Sequence, residues 1–69
     1  MKVTYDASVD VLRILFKDVP IAESDEEKPG VILDYAEDGS LVGIELLDAS
    51  KHTSNPGGMD YAVVGLKSA

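Results

Sequence analysis

Four carboxylates, Asp6, Asp10, Asp34 and Glu45, are the groups in this sequence best suited to chemistry. Asp6 and Asp10 stand at the two ends of DASVD. Asp34 and Glu45 lie in LDYAEDGSLVGIELLDAS, residues 33–50, where acids are interleaved with apolar side chains. Gathered at one point, such oxygens could ligate a divalent cation. As a close pair, one of them desolvated and raised in pKa, they could do general acid–base work. DASVD does not reproduce the calcium-loop pattern D-x-[DN]-x-[DN]-G, and each acid also has a plain structural role. Asp6 suits an Asx-turn and Asp10 ends the same loop, while Asp34 and Glu45 face away from the main apolar layer. The plain roles are the expectation: no catalytic residue is assigned, and neither metal nor cofactor is expected.

The remaining candidates are weaker. His52 is the only imidazole and there is no cysteine, so one chain holds neither a multi-histidine cage nor a thiolate site. Ser50, Thr53 and Ser54 lie near His52 without a Gly-x-Ser-x-Gly elbow. The glycines are dispersed among turns and form neither a phosphate loop nor a dinucleotide fingerprint.

The elements that must position these residues follow a period of two, the strand period. KVTY sets Val3 and Tyr5 against Lys2 and Thr4, and VLRILFK sets Leu12, Ile14 and Phe16 against Val11, Arg13, Leu15 and Lys17. PIAESDEEKPG reads first as a charged edge strand and second as a turn of helix. VILDYA and LVGIELLD flank EDGS, and Asp38-Gly39 is a strong hairpin signal. A two-residue loop there pairs Tyr35 with Val42, Leu33 with Ile44, Val31 with Leu46, Asp34 with Gly43 and Ile32 with Glu45. A one-residue slip would set apolar against polar throughout. Asp48 is placed to cap a short helical turn in ASKHT. Beyond it KHTSNPGG (51–58) is loop chemistry, with residues 52–58 as the loop, and MDYAVVGLKSA, residues 59–69, reads as a last strand or a tail.

Length and charge bound the rest. A chain of 69 residues is one domain near the lower limit for an unaided core. Thirteen acids against six scattered bases give a net charge of −7, which disfavours phosphate backbones and anionic membranes. Asp6 and Asp10 interrupt any apolar leader, and no apolar run approaches a membrane span. A cytoplasmic protein without nucleic-acid or membrane partners is expected.

YDASVDVLRI (5–14) and PGVILDYAEDGSLVGIELLDAS (29–50) together resemble DUF2283, a group of small prokaryotic domains of unknown function. The resemblance rests on Tyr5, Asp6, Asp10, Leu12 and Ile14, then on Gly30 to Tyr35, Gly39, Gly43, Ile44, Glu45 and Leu47 to Ser50. It covers residues 1–51 and implies a compact antiparallel β domain. It supplies no activity and no catalytic residue to carry over. From His52 onward the chain departs from the pattern.

The expected fold is therefore mainly β: a compact antiparallel meander of about five strands, with a sixth C-terminal strand or a short helix as a further element. The front face collects Val3, Tyr5, Leu12, Ile14, Phe16, Val31, Leu33, Tyr35, Val42, Ile44 and Leu46. It needs a cover, whether by curling of the sheet, by the C-terminal segment or by a second protomer. The reverse face is also partly apolar, with Val11, Leu15, Ile32, Leu41 and Leu47 as a candidate self-association face. The leading functional expectation is a non-enzymatic protein-interaction domain that forms a homodimer. The rival is a cation or acid–base site built from Asp6, Asp10, Asp34 and Glu45.

Overall fold

The computed structural model describes residues 1–65. Five strands, β1 (Lys2–Asp6), β2 (Val11–Leu15), β3 (Glu23–Lys28), β4 (Val31–Tyr35) and β5 (Leu41–Leu47), are followed by a 3₁₀ turn, Ala49–Lys51. They form one antiparallel sheet in the order β1-β2-β5-β4-β3. Two hairpins, β1–β2 and β3–β4, thus flank β5, which returns between them. Composition explains the placing. LVGIELL offers apolar side chains to both faces and takes the centre, whereas ESDEEK is exposed throughout and takes an edge.

The β4–β5 hairpin keeps the expected pairs Val31–Leu46, Ile32–Glu45, Leu33–Ile44 and Asp34–Gly43, but Tyr35 pairs with Leu41 instead of Val42. The loop explains the difference. Gly39 N donates to Ala36 O (2.9 Å) and Ala36 N to Ser40 O (2.8 Å), closing a three-residue loop in which Gly39 takes a left-handed φ of 85°. That loop alone would shift the register by one, and an extra residue in β5, the bulge at Val42, restores it from Asp34 inward. The Val42 carbonyl turns to β2, where it accepts from Phe16 N (2.8 Å) and, more weakly, from Lys17 N (3.4 Å).

Two C-terminal expectations are corrected. Asp48 sits at the start of the 3₁₀ turn in a left-handed conformation and makes no side-chain cap. Residues 59–65 form no strand, and the remainder of the expected last strand, residues 66–69, lies outside the described residues.

The sheet does not close, because β1 and β3 remain its two edges. On the front face, β1, β2, β5 and β4 align Val3, Ile14, Ile44 and Leu33 in one row and Tyr5, Leu12, Leu46 and Val31 in the next. The loop from His52 to Met59 folds over the β1–β2–β5 side of this face and makes a groove with Val3, Tyr5, Leu12, Ile14 and Leu46. The cover is partial. Among the described residues Val42 and Ala49 are the only fully buried apolar ones.

Candidate functional site

The four candidate carboxylates separate into two places. Asp6 accepts from Ser8 N (3.0 Å) and Ser8 Oγ (2.6 Å), the Asx-turn arrangement. These bonds hold its pKa below the usual carboxylate value. Asp10 closes the β1–β2 turn with φ 58°, a left-handed position that Asp tolerates better than most residues. Its carboxylate reaches across to the 3₁₀ turn, accepting from Ser50 Oγ (2.6 Å) and Ser50 N (3.0 Å), and from Tyr5 Oη on the other side (2.8 Å). Its own carbonyl accepts from Ala49 N (2.9 Å). Asp10, forty residues away in sequence, therefore caps the turn that Asp48 does not. Donation from Ser50, then from Tyr5, lowers the pKa of Asp10. Beside that negative charge the Tyr5 phenol is raised, chiefly through its hydrogen bond to Asp10.

Asp34 and Glu45 lie on the reverse face, paired away from the β1–β2 turn. Asp34 shares a row with Gly43 and Leu15, and Glu45 stands opposite Arg13 and Ile32. Asp34 is only 1% exposed. Its Oδ1 accepts from Ser24 Oγ of β3 (2.6 Å), and its Oδ2 is buried without a conventional donor. The pKa of Glu45 is raised, first by a hydrogen bond with Asp34, then by desolvation and by the charge of Asp34, against a smaller lowering by Arg13. Two carboxylates can bond only through a proton that one of them retains. The bond with Asp34 thus favours the protonated form of Glu45. Arg13 acts on the pair through its charge, and its Nε is buried with no hydrogen-bond partner.

This arrangement does not make the cation site considered from sequence. Among the described residues no three His, Cys, Asp or Glu side chains converge as a metal would require. What forms is a carboxylate pair in which Asp34 is buried and Glu45 half-buried. At 1% exposure Asp34 offers no surface to a substrate, and two surface grooves lie elsewhere, one on the front face and one beside the 17–22 connection. Through Ser24 the buried Asp34 ties β4 to β3.

The reverse-face apolar residues are likewise divided. Val11 pairs with Leu47 and Leu15 with Gly43, while Ile32 pairs with Glu45. Arg13, Glu45 and Asp34 therefore interrupt the set. Leu41 is paired with Tyr35, so the bulge sets it on the front side. The front face has no such interruption, its charged positions being confined to the β3 edge at Glu23, Asp25 and Lys28.

Nothing in the sequence marks Ser24 and Ser50 as partners of the two acids. Ser24 meets Asp34 through the β3–β4 pairing, which is itself bulged between Glu26 and Lys28. Ser50 meets Asp10 only once β5 lies beside β2. Neither relation has a local signature. No helix of the described residues is long and apolar enough to cross a membrane. The model of a family described as a protein of unknown function (DUF2283) matches residues 2–50. No curated protein and no solved structure matches the chain.

Proposed function

The chain belongs to the DUF2283 family, and we propose that it acts there as a small non-enzymatic interaction domain that self-associates through the front of its sheet. One observation carries this reading: of the side chains on an uninterrupted apolar face, only Val42 is fully buried. A 7.4 kDa globular monomer is expected to expose about 4,200 Å². This chain exposes 5310 Å². The surplus is roughly 1,100 Å². It compares with the ~800 Å² that each partner contributes to a standard interface. A second copy supplies an equally apolar face, with the charged positions of each copy kept to its β3 edge. Two sheets packed in this way give the two-layer form in which a sheet's apolar side is normally covered.

The reading is tested by sedimentation equilibrium on the wild type, Leu33→Glu on the front face and Leu15→Glu on the reverse. The expected result is a wild-type dimer that Leu33→Glu dissociates while Leu15→Glu leaves it intact, circular dichroism showing the sheet retained. Dissociation by Leu15→Glu alone would transfer the interface to the reverse face. A wild type that stays monomeric at millimolar concentration would end the proposal.

A further inference from the structure

Beyond the turn Asn55–Gly58, closed by Gly58 N donating to Asn55 O (3.1 Å), the described chain runs on as Met59–Gly65 with no strand partner. Its apolar side chains are among the most exposed in the molecule: Met59 64%, Tyr61 69%, Val63 58% and Val64 92%. Met59, Tyr61 and Val63 alternate with Asp60 and Ala62, the pattern of a half-buried strand. We infer that this segment, Met59–Val64, is a strand donated to a second copy of the chain, where it adds to the open edge of β1. The inference rests on the self-association proposed above and names the contact that locks it.

Three observations choose the occupant and the edge. First, the chain passes over β1 before it leaves the domain: a Cβ on Gly57 would lie 3.8 Å from Tyr5 Cδ2, and Met59 shares a groove with Val3 and Tyr5. The segment therefore emerges on the face where the second copy is proposed to dock. Six residues in extended form span roughly 20 Å, about twice the ~10 Å between stacked sheets, so the strand reaches a partner's edge. Second, the two edges differ in charge. β3 would place Asp60 beside Glu23, Asp25, Glu26 and Glu27, whereas β1 carries Lys2 and Asp6 and is electrically balanced. Third, the outward backbone groups of β1 are open to pairing, and Val3 and Tyr5 continue the front-face rows. Added to β1, the segment would set Met59, Tyr61 and Val63 beside those rows and keep Asp60 on the reverse side. Two copies related by an axis that lays β1 over β1 exchange the strand reciprocally, a closed, symmetric arrangement.

The test uses full-length chains, which contain no native cysteine. The paired substitution Tyr61→Asp with Val63→Asp changes exposed positions and leaves the sheet intact. It is expected to weaken the dimer at least tenfold in sedimentation equilibrium, with an unchanged circular dichroism spectrum. In parallel, Thr4→Cys chains are mixed with Ala62→Cys chains under mild oxidation. The expected product is the mixed disulfide, in clear excess over either like pair. A wild-type dimer that the double variant does not weaken, or cross-linking without preference for the mixed pair, overturns the donated strand while self-association through the front face stands. A monomeric wild type overturns both.

Discussion

Gly43 is where a single methyl group should do the most damage. It lies in the central strand with an ordinary β conformation, so the requirement for glycine there is steric. A Cβ built on Gly43 would fall 2.5 Å from the Ile14 carbonyl oxygen and 3.4 Å from Leu15 Cα. Carbon and oxygen need roughly 3.3 Å, and the missing ~0.8 Å must come from backbone held in the β2–β5 ladder, because no flexible side-chain end is involved. Overpacking of this kind costs about 1–3 kcal/mol, and losing one ladder hydrogen bond adds about 1 kcal/mol. The sum, about 2–4 kcal/mol, compares with a total stability of roughly 3–10 kcal/mol for a domain of this size. Gly43→Ala is therefore expected to lower the Tm by roughly 10–30 °C. Thermal unfolding followed by circular dichroism, at one fixed protein concentration so that association does not enter, measures it. Gly39→Ala is the control: nothing lies within 4 Å of its Cβ, and the φ of 85° alone should cost about 1 kcal/mol. A Gly43→Ala protein melting within 2–3 °C of wild type, or below Gly39→Ala in its effect, would refute the steric reasoning.

Ser24→Ala removes the only hydroxyl on Asp34 Oδ1. It should cost about 1–3 kcal/mol in urea unfolding, the penalty of a buried acceptor left unpaired. The raised pKa of Glu45 means that the folded chain binds more protons than the unfolded chain. Its contribution is full below the ordinary glutamate value and is lost as pH rises through the folded value. Glu45→Gln, which donates permanently, should therefore gain on wild type as pH increases above ~4.5, as stability measured from pH 4 to 8 will show. Asp10 has the opposite sign. Its lowered pKa stabilises the fold above the ordinary aspartate value, and this is lost as pH falls through the folded value. Asp10→Asn should accordingly be less stable than wild type at neutral pH and closest to it in acid. A constant difference across the titration would remove the carboxylate from that role.

The strands β4 and β5 and most of their pairing were legible because alternation and turn chemistry agree in 31–47, where one slip would invert both faces. The Val42 bulge was less legible. Its signal is Gly43, a glycine inside a strand, which marks a close backbone approach or a bulge, but alternation on either side hides the extra residue. The failure of Asp48 as a cap has a similar cause. Several residues could cap the 3₁₀ turn, and the one that does, Asp10, is brought there by β5 returning beside β2. Separation of the four carboxylates into two places follows from that same strand order. Their residue types are compatible with a cluster, and only the register sets Asp10 and Asp34 at opposite ends of the sheet. The 59–65 segment has strand alternation yet forms no strand, because alternation alone does not bring a segment to an open edge of the sheet.

The front face is the centre of this functional reading, and methyl contacts across it can be observed directly. Isotope-filtered nuclear Overhauser spectra on a mixture of labelled and unlabelled chains should show cross-copy contacts from the methyl groups of Leu33, Ile44 and Val31, at a tumbling time fitting twice the chain mass. Filtered spectra empty at those methyls, with the tumbling of a single chain, would contradict it.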